Sequence, residues 1–557
     1  MQKAGQISST TVEVIVVLGI VILVNILGGF YYGRMDLTKN KDFTLASSSK
    51  EVVSDLPDIV RITVYISKDL PPILQTYKQR TIDLLDEYRA NGSSRLIIQY
   101  IDPDDLSEEE QQSINALGIQ KQPWRIWEAE QQISVDRYFG IEISYGEKHE
   151  VIETVPMVAN LEYEITSAVV KLISDELPTI AFLNGHGEST SENQFTTLAT
   201  VLKELYSVRD IDLGTGRKID DNVDTLIIAG PTQTIPERHQ YVIDQFLMRG
   251  GKLVLMTSGA QLDQMAQQTQ QMPQATFFMS PLNDLLTAYG IKVNNDLIAD
   301  VDYNERIPVG NMGPIQITEA FPLFPRIVAG GGGFPSESPV TRGLDTTCSM
   351  PFTSSITFLF DKIKEGTEDI VLARSSEKSY SYPVPVSLDY KQTWLPPGGE
   401  SQFKYQNAAV QLIGNFDSAF AGQPIPALLP QNEGGPATPD TDPMIQTTQV
   451  PTSITVFGNA QFIDDNWIQA QGNGVFFQNL IESLNLGEAL IDIRSREIAS
   501  NPLKPDMTTG EMNAYKFQGY ILVPVLFTLF GVTRFYFKGQ RKRLMQQYLS
   551  EQEKGKK

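Results

Sequence analysis

One cysteine, Cys348, stands in 557 residues, so an intrachain disulfide is excluded. Three histidines, His149, His186 and His239, leave a Cys/His zinc site poorly supplied. No calcium-loop spacing occurs, and no G-x-x-x-x-G-K-[ST] occurs anywhere. The run Gly330–Gly333 is therefore not a phosphate loop, and nucleotide is not bound in that way. There is no G-x-S-x-G to carry a nucleophile elbow. Nothing in these residues calls for a cofactor. Positive charge is also scarce, with 45 Lys and Arg against 67 Asp and Glu and a net charge of −22. Seven of those basic residues lie in the last twenty positions, so the rest of the chain is more acidic still. Such a body has no basic face to displace counterions from phosphate, which argues against a nucleic-acid role. Its acidity favours solubility and says nothing about fold.

Long apolar runs are confined to the two ends. Residues 517–537 read FQGYILVPVLFTLFGVTRFYF, with one charge, Arg534, near enough to the end to reach lipid headgroups. The run matches a hydrocarbon core of about 30 Å. A basic tail follows at 538–557, opening with Lys538, Arg541, Lys542 and Arg543. Positive charge beside a span stays in the cytoplasm, and the tail would dock on acidic lipid or on partner subunits. A second run, Val14–Phe30, places another span at 12–33 after a short N-terminus at 1–11. Competing readings are a cleaved signal peptide for the first run and a buried core helix for each. Two crossings put both termini in the cytoplasm. The bulk of the chain then lies on the periplasmic side of a bacterial inner membrane.

Between the runs the pattern is α/β. Within 34–175, strands are expected at 59–66, 95–101, 138–145 and 150–155. Helices are expected at 73–90, from Ser107 with Glu110 as its capping-box partner, and at 161–173. The order β-α-β-α-β-β-α is that of thioredoxin-like domains. The junction Ser67–Pro72 has no thiol, so a redox role is excluded there. From 176 to 495, strands at 179–183, 224–229 and 252–256 alternate with helices, as in a doubly wound sheet. Residues 302–451 dissolve into Gly, Pro, Ser, Thr and Gln, with islands at 356–360 and 370–373 that suggest strands, and read as a loop-rich insertion packed on the sheet. The strand 453–458 then completes the sheet, and 496–516 reads as a linker.

The stretch Gly185-His186-Gly187-Glu188 follows a strand and precedes a helix expected from about Ser191. In doubly wound sheets that is where ligands sit. The glycines let backbone approach closely, while His186 and Glu188 supply a donor, an acceptor and a charge. Three readings compete: a tight turn whose imidazole bonds local backbone, a ligand- or partner-binding loop, and a base with its orienting carboxylate.

Several short blocks carry a family resemblance. They are Tyr65–Pro72, Leu84–Tyr88, Tyr100–Pro103, Asn160–Ser167, Phe182–Glu188, Ile228–Pro231, Leu285–Ile291, Asn295–Asp300 and Val456–Phe462. In this order the chain resembles the GldG-type auxiliary component of gliding-motility ABC transporters. The resemblance implies a non-catalytic, non-ATPase subunit working beside a separate permease subunit and a cytoplasmic ATPase subunit. Its large body would bind or guide a substrate, such as a polymer, or an envelope protein. No catalytic residues carry over with the resemblance. The alternative from another class is a membrane-anchored hydrolase or amidotransferase-like enzyme using His186 and Glu188.

Overall fold

The structure, a computed structural model, describes residues 44–493 apart from 129–130, 158–159, 175, 263–273, 313–314, 336–337, 342–343, 345–346, 431–437, 471, 488–489 and 492. Beyond 493 it describes 510, 516–517, 525, 528–534 and 536–537. The chain divides into two units, 1–499 and 500–557.

The first unit begins with helix α1 (Ser47–Ser54) and strand β1 (Val60–Ile66). The β-branched run of β1 is buried at six of its seven positions. Helix α2 (Pro72–Asn91) starts with proline at its first turn, where no backbone N–H is needed. It stops at Gly92, but not through a left-handed residue as the Asn-Gly pair implies. Gly92 is extended (φ −75°, ψ 154°), and a side chain there would meet the Leu96 side chain at 2.6 Å. The glycine serves close packing. Strand β2 (Leu96–Ile101) and helix α3 (Glu108–Ala116) follow, α3 opening on the expected Ser107–Glu110 capping box. A two-stranded ribbon, β3 (Gln122–Glu128) and β4 (Gln131–Arg137), has no counterpart in the sequence reading. Strands β5 (Phe139–Tyr145) and β6 (Lys148–Ile152) then complete a sheet of order β2-β1-β5-β6. Strands β1 and β2 run parallel, and β5 is antiparallel to β1. Helix α4 (Leu161–Ile173) packs Ile165, Val169 and Leu172 into this core beside Val64, Leu85 and Tyr88.

A larger sheet organises the remainder. Its strands are β7 (Thr179–Asn184), β8 (Ser207–Asp212), β9 (Val223–Ala229), β10 (Lys252–Met256), β11 (Glu368–Arg374), β12 (Asn407–Gly414) and β13 (Thr452–Phe457). The order is β11-β12-β13-β10-β9-β7-β8; the last five run parallel, β12 is antiparallel to β13, and β11 is antiparallel to β12. Alternate side chains enter separate cores. Ile180, Phe182, Val254 and Phe457 face helices α5 (Thr196–Leu202) and α7 (Asn473–Asn485). Ala181, Leu183, Leu255 and Val456 face helix α6 (Glu237–Met248). Burial on both faces explains why these strands read as continuous apolar runs.

The region 302–451 is more ordered than its composition implies. It supplies β11 and β12 to the main sheet and a long ribbon, Asn304–Met312 against Ile315–Val328. Helix α5 begins at Thr196, later than the expected Ser191, because residues 190–194 form a bridged turn with Gln194 at φ +69°.

Two expectations are corrected. The fold is mixed α/β with many sheets, and two terminal transmembrane helices are not supported: no helix among the described residues is long and apolar enough to cross a membrane. The longest of them, α2, has the length but carries Lys78, Arg80, Asp83, Asp86, Glu87 and Arg89. In the 500–557 unit the longest described helical stretch, 528–534, covers only seven residues, about 10 Å. Arg534 is exposed on it. A two-pass inner-membrane placement with a periplasmic body is withdrawn on the same finding. The run 12–33 and the tail residues Lys538, Arg541, Lys542 and Arg543 lie outside the described residues.

Candidate functional site: a sealed histidine pair at the strand ends

The chain leaves β7 and forms β8 on one side of it, then returns to form β9 on the other. The crevice at such a switch point is where open α/β sheets place ligands. The loop Gly185–Glu188 fills it. Gly185 (φ +120°) and Gly187 (φ +79°) both adopt the left-handed half of backbone space, which costs glycine nothing. A side chain at Gly187 would also fall 2.1 Å from the Thr232 hydroxyl. The His186 carbonyl accepts from the backbone N–H groups of Thr232 and Gln233, at 3.1 and 2.9 Å, and Ser189 N–H donates to the Ala229 carbonyl. The loop is therefore stitched to the end of β9.

Its side chains turn inward. His186, Glu188 and His239 are all buried, and no part of the Glu188 side chain reaches solvent. Glu188 accepts the His186 backbone N–H at 2.6 Å, and its other oxygen lies 3.0 Å from His186 Nδ1. His186 Nε2 lies 2.8 Å from His239 Nδ1, with the rings edge to face. His239 Nε2 lies 3.1 Å from the Gly214 carbonyl.

The donors can be assigned from the ends inward. A carbonyl only accepts, so His239 donates from Nε2 to Gly214. At the other end the Glu188 carboxylate accepts the His186 backbone N–H and faces Nδ1 of the ring. A single hydrogen bond joins the two imidazoles between them. Burial holds the His239 pKa below the ordinary imidazole value; the Gly214 hydrogen bond pulls the other way, and the His186 charge lowers it further.

This arrangement joins all four residues expected from the sequence, Gly185, His186, Gly187 and Glu188, and adds His239, which sequence reasoning had only counted. Its signal is thin: a lone histidine near the start of an amphipathic helix, 53 residues from its partner. The third histidine, His149, is exposed on β6 and takes no part. Both ring nitrogens of His186 are engaged, by Glu188 and His239, and neither by a hydroxyl or thiol. Cys348 is buried in the opposite core, where burial pushes its thiol well above the usual range. Among the described residues no group of three His, Cys, Asp or Glu side chains is placed to hold a metal ion.

Two clamps extend the site along α6. Arg238 donates to the carbonyls of Gly216 and Pro426 and to Asp440, at 2.6, 2.9 and 2.6 Å. Asp244, 1 % exposed, accepts from Tyr289 OH, Ala419 N–H, Ser418 Oγ and Gln245 Nε2. Helix α6 thereby ties the histidine pair and the insertion to one element.

The fold and site define a mixed α/β protein whose switch-point crevice is closed by its own buried side chains. Residues 177–482, more than half of the chain, match the family model described as an ABC-type uncharacterized transport system. The chain belongs to this ABC transporter auxiliary family. Residues 39–144 match a domain of unknown function. An uncharacterized protein of Borreliella burgdorferi is 24 % identical over 518 residues, covering 90 % of this chain and 93 % of that protein. Among solved structures, the mmIFT52 N-terminal domain aligns at 14 % identity and a TM-score of 0.32, covering 55 % of this chain and 97 % of that one. The exo-β-1,4-mannosidase Op5Man5 from Opitutaceae bacterium strain TAV5 aligns at 8 % identity and a TM-score of 0.20, covering 77 % and 50 %. Neither score bears on fold or function.

Proposed function

We propose that the chain is a non-ATPase accessory subunit that associates with separate permease and ATPase chains of an ABC transporter and binds or guides what the transporter handles. The observation that carries this reading is the family match over 177–482. The finer assignment, to the GldG-type component of gliding-motility transporters, rests on the ordered short blocks quoted above. In this reading the first sheet is a thioredoxin-like platform for binding or assembly. The Gly185–Glu188 loop is a latch: with both His186 nitrogens and the Glu188 carboxylate turned inward, it shapes the surface over the crevice and offers no free base. That geometry disfavours the hydrolase alternative.

Co-purification of the tagged chain from its native cells tests the reading. Recovery of a permease and an ATPase in constant ratio is the expected result, and repeated recovery of the chain alone would sink it. Replacing His186 by Ala should weaken that recovery only as far as it destabilises the fold.

A further inference from the structure

The loop Gly185–Glu188 is held from two sides. On one, the His186 carbonyl accepts the N–H groups of Thr232 and Gln233, and Ser189 N–H donates to the Ala229 carbonyl. These are backbone bonds, which no proton disturbs between pH 5 and 8. On the other side stands the bond between His186 Nε2 and His239 Nδ1, at 2.8 Å. Among the described residues it is the one hydrogen bond between the loop and helix α6.

That bond carries a protonation requirement. One facing nitrogen must hold a hydrogen and the other a lone pair. The remaining nitrogens are already engaged, His239 Nε2 by the Gly214 carbonyl and His186 Nδ1 by Glu188. Turning either ring gives up one of those bonds. With a hydrogen on both facing nitrogens, N–H is set against N–H between two rings that are each 5 % exposed. The charges nearby do not remove the conflict. Glu188 faces His186, while His239 feels Asp212 at the end of β8, Arg238 on its own helix, and His186. Asp212 favours a proton on His239, but burial, the largest influence, opposes it together with Arg238 and His186. A loop that lets go returns the rings to water and to an ordinary affinity for protons, so acid favours release.

The loop is the part that gives way. Helix α6 is fixed beside His239 by the three bonds of Arg238 to Gly216, Pro426 and Asp440. His186, in contrast, sits between two glycines of positive φ, Gly185 and Gly187. We propose that the loop is an acid-released latch: protonation of both imidazoles parts His186 from His239, frees the loop from α6 and uncovers the strand ends at the switch point. The proposal rests on reading the loop as a latch over that crevice.

Amide hydrogen exchange on the full chain, at pH 7.5 and pH 5.0 and corrected for the intrinsic rate, tests it. Protection of the His186, Ser189, Thr232 and Gln233 amides should fall by about tenfold for each pH unit below about 6.5. The amides of β1 should keep theirs. His239→Gln, neutral at both pH values, should show equal loop protection at both. A second measurement on the parent chain does not depend on that variant folding. With three histidines in the chain, ring proton resonances can be followed singly. Those of His186 and His239 should shift over the interval in which the loop loses protection, and exposed His149 should titrate as a free imidazole. Loop protection equal at the two pH values, or a loss that His239→Gln shares, overturns the proposal. So does a loss spread evenly over both sheets, or ring shifts at a pH where the loop stays protected. All of this is read on the chain alone. Failure to recover a permease and an ATPase would sink the accessory-subunit reading and leave these results standing.

Discussion

His186 and Glu188 form a buried pair in which each needs the other. Removing the imidazole leaves a carboxylate with no exposed surface and only one backbone N–H for company. Breaking a buried pair costs about 3–5 kcal/mol, so His186→Ala should lower the free energy of unfolding in urea by about that much. A loss below about 1 kcal/mol would mean that the loop is not held by this pair. His239 adds a pH dependence of known sign. Its pKa is depressed by burial, so the unfolded chain takes a proton near pH 6.5 that folded His239 refuses. Its contribution to stability is present above that pH and is lost as pH falls below it, towards the lower folded value. His239→Gln should flatten the stability profile in that window, read from urea midpoints at pH 7 and pH 5.5; an unchanged slope would place the titrating group elsewhere. The loop itself was legible from two glycines flanking a histidine after a strand. Its inward orientation was not, because nothing local distinguishes a histidine that faces a ligand from one that faces another histidine 53 positions away.

At the scale of elements, helix α6 decides how the insertion sits. Asp244 gathers Ser418, Ala419 and Tyr289 from two distant segments, and Gln245 bonds both the N–H and the carbonyl of Ile445. Asp244→Ala strands at least three buried donors, a cost of about 3 kcal/mol. That penalty should appear as faster limited proteolysis within 415–450, while β7 and β9 stay protected. Cleavage spread evenly over the chain would mean that the clamp is not local. Sequence patterns gave β1, β2, β7, β9, β10 and β13 close to their final bounds because each is a short, largely apolar run between breakers. They missed β12, where Asn407-Ala-Ala-Val-Gln-Leu-Ile-Gly414 lies amid proline and glycine and belongs to a sheet whose other strands are far away in sequence. They also read the polar, aromatic ribbon 122–137 as nothing in particular, since its pairing is local and its register comes only with the turn.

At the scale of the 1–499 unit, one helix has a foot in each of two cores. Helix α4 sends Ile165, Val169 and Leu172 into the core of the first sheet, while Tyr163 packs against the core of the second. The Tyr163 hydroxyl donates to Glu482 of α7 at 2.8 Å, and Asn160, the α4 N-cap, reaches the Ile493 carbonyl at 3.4 Å. Ala46, beside α1, is fully buried in the second core as well. Sheets joined through packed side chains rather than a solvated linker should melt together, so calorimetry is expected to show a single transition for this unit. Tyr163→Ala deletes the hydrogen bond and the ring contact at once, and should separate the melting into two transitions, the four-stranded sheet leaving first because its core is smaller. Tyr163→Phe keeps the ring and removes only the hydroxyl, and should leave one transition at a slightly lower temperature. If Tyr163→Ala also melts in one step, the coupling runs through the packing around Ala46. In that case Ala46→Asp, which sets a charge in that core, is the change that should uncouple the sheets.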